Sequence, residues 1–112
     1  MIDRRYFERV RRDLRISLKS EQVSFDGVTL DICPGGVFII SAQVLPRGSV
    51  VDMELWVSDG GSIRCRGEVT WVNRGQVSHY PPGFGVQFMD LSGDSLKRVL
   101  NACMERDADS PW

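Results

Sequence analysis

Two short stretches carry the residues with the most distinctive chemistry. The first is RRDLR at 11–15, where Arg11 and Arg15 stand four positions apart with Arg12 between them. Guanidinium groups suit phosphate because their planar donors meet its oxygens two at a time. They also stack flat on purine rings. The second is DICPGG at 31–36, where Asp31, Cys33 and Gly36 have the spacing DxCxxG. A carboxylate such as that of Asp31 can accept two N–H bonds from the edge of guanine, at N1 and the exocyclic N2. Glycine has no Cβ, so a base can lie against its backbone at Gly36. Each half has a plainer use. Arg5 and Arg9 satisfy RxxxR as well, and Pro34-Gly35-Gly36 makes an ordinary tight turn. Together, an arginine-bearing arm and an acceptor beside a glycine describe a surface for a small anionic ligand.

Little in the chain supports catalysis. His79 is the single histidine, in a polar loop beside Tyr80 and two prolines, where a solvent-facing side chain is expected. The nucleophile elbow GxSxG is absent. So are the phosphate loop GxxxxGK[ST] and the dinucleotide fingerprint GxGxxG. Asp52 and Glu54 share a strand face opposite apolar neighbours, which predicts solvated carboxylates. Trp56 and Trp71 could stack bases, but packing is the stronger reading for tryptophan in a small barrel. The three cysteines, Cys33, Cys65 and Cys103, are odd in number and widely spaced, with no CxxC pair. That pattern fits reduced thiols in a cytosolic protein and offers no zinc site. The sequence therefore predicts no catalytic residues and no metal ligands.

The length of 112 residues suits one domain with one modest core. Hydrophobic residues at 42% and charged residues at 26% are ordinary globular values. No run approaches the roughly 18 uncharged apolar residues of a membrane span, and the first residues lack the apolar stretch of a secretory signal. The net charge of −1 conceals an asymmetry, because residues 1–15 hold six arginines against three acids. A basic arm on an acidic body points to an anionic partner.

From Arg15 onward apolar residues mostly alternate. Ile16 and Leu18 share one face, as do Val28, Leu30 and Ile32, then Val51, Met53, Leu55 and Val57. Ile63, Cys65, Val69 and Trp71 follow, then Phe84, Val86 and Phe88. Alternation of this kind describes half-buried antiparallel strands. Turn signals fall between them, at Asp26-Gly27, Pro34-Gly36, Pro46-Gly48, Asp59-Gly61 and Pro81-Gly83. Residues 73–83 read as a longer exposed loop. About six short strands suggest a small closed barrel, which leaves no sheet edge open. After Asp90 the period changes. Leu96, Val99, Leu100 and Cys103 predict one buried face of a helix, with Ser92 as N-cap, Leu91 and Leu96 as a staple, Asp94 in the first turn and Arg106 near the last. The final DADSPW reads as frayed.

The order of basic RxxxR arm, strand, strand ending in the DxCxxG turn, further strands and C-terminal helix resembles the PilZ domain over essentially the whole chain. RRDLRISL resembles the family's RxxxR segment, and LDICPGGVFI its [DN]xSxxG segment with the strand that follows. GEVTWV and PPGFGVQFMDLS are similar to its later strands. The resemblance implies a mainly β protein, a six-stranded antiparallel PilZ-type β-barrel with a C-terminal α-helix. It implies a single domain over 1–112, with a basic arm at 1–13, the barrel at 14–90 and the helix at 92–106. It also implies binding of the bacterial second messenger cyclic di-GMP, often as a stacked dimer. Arg11 and Arg15 would grip phosphates and guanine, with Arg12 an auxiliary contact. Asp31 would read a guanine edge, and Gly36 would permit close approach. Cys33 stands where the family has serine. A thiol is a weaker donor and a larger atom, so binding would lose about 1 kcal/mol without being abolished. Cys33 is still expected to line the site.

The resulting expectation is a cytoplasmic, non-catalytic receptor that passes a signal on by changing shape or protein partner. Its ligand is cyclic di-GMP, with no cofactor, no nucleic acid and no membrane insertion. The alternative is a nucleotide-independent PilZ adaptor that acts through protein–protein interaction. A single-strand nucleic-acid binder is a third reading, disfavoured by the acidic body.

Overall fold

The computed structural model describes residues 9–58 and 60–104. Its strands are β1 (Val10–Arg11), β2 (Arg15–Lys19), β3 (Ser24–Cys33), β4 (Gly36–Ile40), β5 (Val50–Trp56), β6 (Ser62–Asn73) and β7 (Gly83–Met89), followed by the helix α1 (Gly93–Met104). The alternating residues do what their period requires. Ile16, Leu18, Val51, Met53, Leu55, Ile63, Val69, Phe84 and Val86 all point into one core. The strands run β3-β2-β5-β6-β7-β4, every pairing is antiparallel, and β4 pairs back onto β3 to close the ring. This is a six-stranded barrel with β1 as an additional short strand.

β1 lies against the same edge of β3 as β2 does. Val10 and Arg11 face Ile32 and Asp31, and the ladder resumes where Arg15 faces Val28. Residues 12–14 interrupt it, and the buried Thr29 fills the gap. Its Oγ1 accepts from the Leu14 amide at 3.0 Å and donates to the Arg12 carbonyl at 2.5 Å. A buried ladder defect would otherwise leave backbone groups unpaired at a cost of about 1–3 kcal/mol each. The basic segment expected before the barrel thus ends inside the sheet. Arg5 lies outside the described residues.

Tight connections follow the glycines. Pro34-Gly35 joins β3 to β4, with Cys33 opposite Gly36. Gly60 takes a φ of 86° in the hairpin between β5 and β6, and Asp59 lies outside the described residues. The longer connection at 73–82 is built around one side chain. Asn73 is fully buried, and its Nδ2 lies 3.0–3.2 Å from the carbonyls of Val77, Tyr80 and Pro81. Its Oδ1 accepts from the amides of Gly75 and Val77. One amide therefore holds the loop that the sequence describes only as long and exposed.

Ser92 caps α1, its Oγ accepting from the Ser95 amide at 3.0 Å. At the other end Arg12 Nε donates to the Ala102 carbonyl at 3.0 Å, placing a cation where the helix dipole favours one. The buried face differs from expectation. Val99 and Ala102 enter the core and Cys103 packs against it, while Leu96 and Leu100 remain 41% and 39% exposed. The helix touches β3 and β6 along a narrower stripe, rotated from the one its hydrophobic spacing suggests. Arg106 and the final DADSPW lie outside the described residues. Among the described residues no helix is long and apolar enough to cross a membrane.

Candidate functional site

A β-bulge at Leu30 breaks the alternation expected of Val28, Leu30 and Ile32: beyond it Ile32 pairs with Val37 and enters the core, while Asp31 pairs with Phe38 and Cys33 with Gly36 on the other face. That face is covered as well. Asp31 is 2% exposed and Cys33 is completely buried, in a stretch where every residue from Thr29 to Cys33 is buried. Phe38, opposite Asp31 on β4, lies in a second apolar layer outside the barrel. Its ring centroid is 5.2 Å from that of Trp71 and 5.0 Å from that of Tyr80, and Trp71 and Tyr80 are 5.3 Å apart. Separations of this size suit tilted and edge-to-face packing. Trp71 lies opposite Gly85 on β7, close enough that a Cβ there would be in ordinary contact with the indole. Beside this layer is an open depression of about 430 Å³, lined by Arg9, Thr70, Trp71, Val77, His79 and Tyr80 among others.

The Asp31 carboxylate is held from both sides. Arg9 donates to Oδ1 through Nε at 2.9 Å and Nη2 at 2.7 Å. Tyr80 donates its hydroxyl to Oδ2 at 2.5 Å. Arg9 Nη1 also lies 3.5 Å from Cys33 Sγ. A buried carboxylate without such donors would be strongly disfavoured. Burial alone would lower the pKa of the Arg9 guanidinium, but the hydrogen bond and charge of Asp31 outweigh it and raise that pKa. Burial and the bond to Asp31 push the Tyr80 phenol upward, while Arg9 and Arg11 pull it partly back.

The sequence-derived site residues do not all converge. Arg11 faces Asp31 across β1 and β3, close enough to act on the Tyr80 hydroxyl. Arg12 turns away to the Ala102 carbonyl and to the carbonyl of Arg11. Arg15 stands 4.3 Å over the ring of Trp56, on the β2–β5 side. The arginine that meets Asp31 is Arg9, from the alternative RxxxR spacing. Gly36 has a packing role: a Cβ there would lie 2.1 Å from the Val86 carbonyl, so β4 and β7 can pair closely only with glycine. Cys33 sits under the site next to Arg9 and forms no part of an open wall. Tyr80 carries no site motif of its own in the sequence. Its only forewarning is Asn73, an amide placed to fold the loop that delivers it.

The arrangement offers polar recognition and little for covalent chemistry. Burial pushes the thiols of Cys65 and Cys103 up to about 11, so neither is a thiolate at neutral pH. Among the described residues no group of three or more His, Cys, Asp or Glu is placed to hold a metal ion.

Fold and site define a closed antiparallel barrel with an arginine-bearing strand laid beside a buried carboxylate. The chain belongs to the PilZ domain family, whose model matches residues 3–106. None of the curated protein sequences compared with it matches. Similar solved structures include the Bacillus subtilis inhibitor of motility MotI/DgrA, at 15% identity and a TM-score of 0.77, covering 92% of this chain and 50% of that one. The PilZ domain of YcgR from Escherichia coli, solved with c-di-GMP, is 12% identical at a TM-score of 0.70, covering 91% of this chain and 90% of that one. The PilZ domain of CeSA from a cellulose-synthesizing bacterium is 16% identical at a TM-score of 0.62, covering 87% and 95%. At these identities the likeness is one of fold. The chain spans about half the length of MotI/DgrA.

Proposed function

We propose that this chain is a non-catalytic, cytoplasmic receptor domain for cyclic di-GMP that passes its signal on through a change of shape or protein partner. The observation that carries this reading is the Asp31 carboxylate on the outer side of the barrel, with Arg9 and Arg11 beside it. A carboxylate accepts the donor edge of guanine, and the neighbouring guanidiniums suit its phosphates. Family membership supports the reading, as does the ligand carried by the YcgR domain of the same fold. Arg11 is the arginine best placed for a phosphate. Arg15 must leave Trp56 to join it, and Cys33 contributes through Arg9. The same surface can take a stacked dimer of the ligand.

Isothermal titration with cyclic di-GMP, GTP and a short single-stranded oligonucleotide tests this reading. Saturable binding of cyclic di-GMP alone is the expected result, with a stoichiometry of one or two per chain. Absence of heat with cyclic di-GMP at millimolar protein and ligand would leave the nucleotide-independent adaptor as the better description.

A further inference from the structure

A row of outward side chains crosses the barrel from β4 to β5. Ile16 and Leu55 pair between β2 and β5 and enter the core, so their neighbours Arg15 and Trp56 point outward. Arg15 faces Val28 on β3, and Val28 faces Ile40 on β4. The row therefore reads Ile40, Val28, Arg15, Trp56. Val28 and Ile40 are 44% and 38% exposed. Residues directly opposite on neighbouring strands stand about 5 Å apart, so the row is continuous. Arg15 interrupts it with a charge, its guanidinium 4.3 Å over the Trp56 ring. The next outward row is polar. Asp26, Ser17, Glu54 and Arg64 face one another across β3, β2, β5 and β6, and Arg64 is paired to Glu54 at 3.0 Å. Carboxylates thus edge the apolar row, Asp26 below Val28 and Glu54 below Trp56.

Arg15 is also the arginine that must leave Trp56 to join the ligand. A cation–π contact at an exposed site is weak, so a phosphate can draw it away. Its departure changes what the row offers. With Arg15 in place, an apolar partner would have to cover a charge without a counter-ion, which is strongly disfavoured. With Arg15 on the ligand, Ile40, Val28 and the bared face of Trp56 form one uncharged strip. We infer that this strip is a docking surface opened by the nucleotide, and that the partner it fits is a protein segment with an apolar face edged by lysine or arginine. The inference rests on the receptor reading above and names how its signal is passed on. The apolar face of the partner meets Ile40, Val28 and Trp56, and its basic edge meets Asp26 and Glu54. The same carboxylates repel an anionic membrane surface. No strand of the barrel has to move, because the switch is one side chain.

The test is fluorescence anisotropy of a labelled helical peptide, with leucines on one face and lysines along its edges, titrated with the full chain. Wild type should bind the peptide at least about tenfold more tightly with saturating cyclic di-GMP than without it. Arg15→Ala bares Trp56 without any ligand, and should bind the peptide in the absence of nucleotide as tightly as nucleotide-loaded wild type does. The double variant Val28→Thr, Ile40→Thr keeps β-branched residues on both strands. It should bind cyclic di-GMP as wild type does and lose the peptide, which separates the surface from any direct contact between peptide and nucleotide. Glutamates in place of the lysines should weaken the peptide. Two results would overturn the inference and leave the receptor reading standing: Arg15→Ala that binds the peptide no better than ligand-free wild type, or a double variant that retains it. Preference for phosphatidylglycerol vesicles over the peptide would overturn it as well. If wild type binds no cyclic di-GMP, the receptor reading falls and the nucleotide control of this surface falls with it.

Discussion

Asp31 is more deeply embedded than a turn-forming aspartate, and this sets the outcome of its removal. Asp31→Ala strips Arg9 of its partner and leaves the Tyr80 hydroxyl without an acceptor in a half-buried site. Loss of a buried charged partner costs about 1.5–3 kcal/mol, which for a domain this size lowers the melting temperature by roughly 6–20 °C. Affinity for cyclic di-GMP should fall at least about tenfold in the same variant, the size of one lost charge-assisted bond. Thermal unfolding and titration of the one protein check both. An unchanged melting temperature would mean that Arg9 and Tyr80 do not hold Asp31 in solution. At this scale the sequence was partly legible. The acidic residue and the arginine cluster both stand out by type. Which arginine pairs depends on the register of β1 on β3. With Val10 opposite Ile32, the residue before it comes opposite Cys33, within reach of Asp31. Register is a long-range property, fixed by sheet closure, and a local spacing such as RxxxR does not contain it. Cys33 illustrates the same point. Strand alternation correctly separates it from Ile32, but two-sided burial of β3 is invisible to a period of two.

Elements were easier to read, because their signals are local. Alternation found β2, β5, β6 and β7, and the capping residue found the start of α1 within a residue. The buried helix face differs from the spacing because Leu96, Val99, Leu100 and Cys103 form a stripe wider than the contact. A wide apolar stripe leaves the choice of which edge to bury to the surface it meets, here β3 and β6. The distinction can be measured. Val99→Ala removes two fully buried methyl groups and should destabilise by about 1–3 kcal/mol. Leu100→Ala removes more atoms, yet should cost less than Val99→Ala, about 1 kcal/mol or below, since the side chain is 39% exposed and lies outside the core. Equal losses in denaturant titrations would mean the helix docks by the stripe read from its spacing. The loop at 73–82 makes a similar case. Asn73→Ala leaves several backbone groups unpaired around a buried position, and Tyr80 should then lose its hold on Asp31. Tyrosine fluorescence and cyclic di-GMP affinity report that together, and retention of wild-type affinity would show that the loop keeps its shape without the amide.

For the molecule as a whole, closure of six antiparallel strands ties nearly every segment to two neighbours, so most of the chain should unfold as one unit. β1 is the exception, and Thr29 is the reason. Its side chain takes up the Arg12 carbonyl and the Leu14 amide, leaving one backbone bond on either side of the offset, from the Arg12 amide to the Leu30 carbonyl and from the Thr29 amide to the Leu14 carbonyl. The junction acts like a perforation in a sheet of paper: the outer strip can be torn off along it while the rest stays whole. Such a strip has its own opening free energy, below that of the global transition. Amide hydrogen exchange in the ligand-free protein should show this as a step. Protection of Val10 to Arg12 should be at least about a hundredfold lower than that of Ile16 to Leu18, a gap of about 2.7 kcal/mol. Uniform protection across the junction would mean that both strands open only with the barrel. The threonine thus gives the fold a boundary for local unfolding within what is, by position, a single barrel strand.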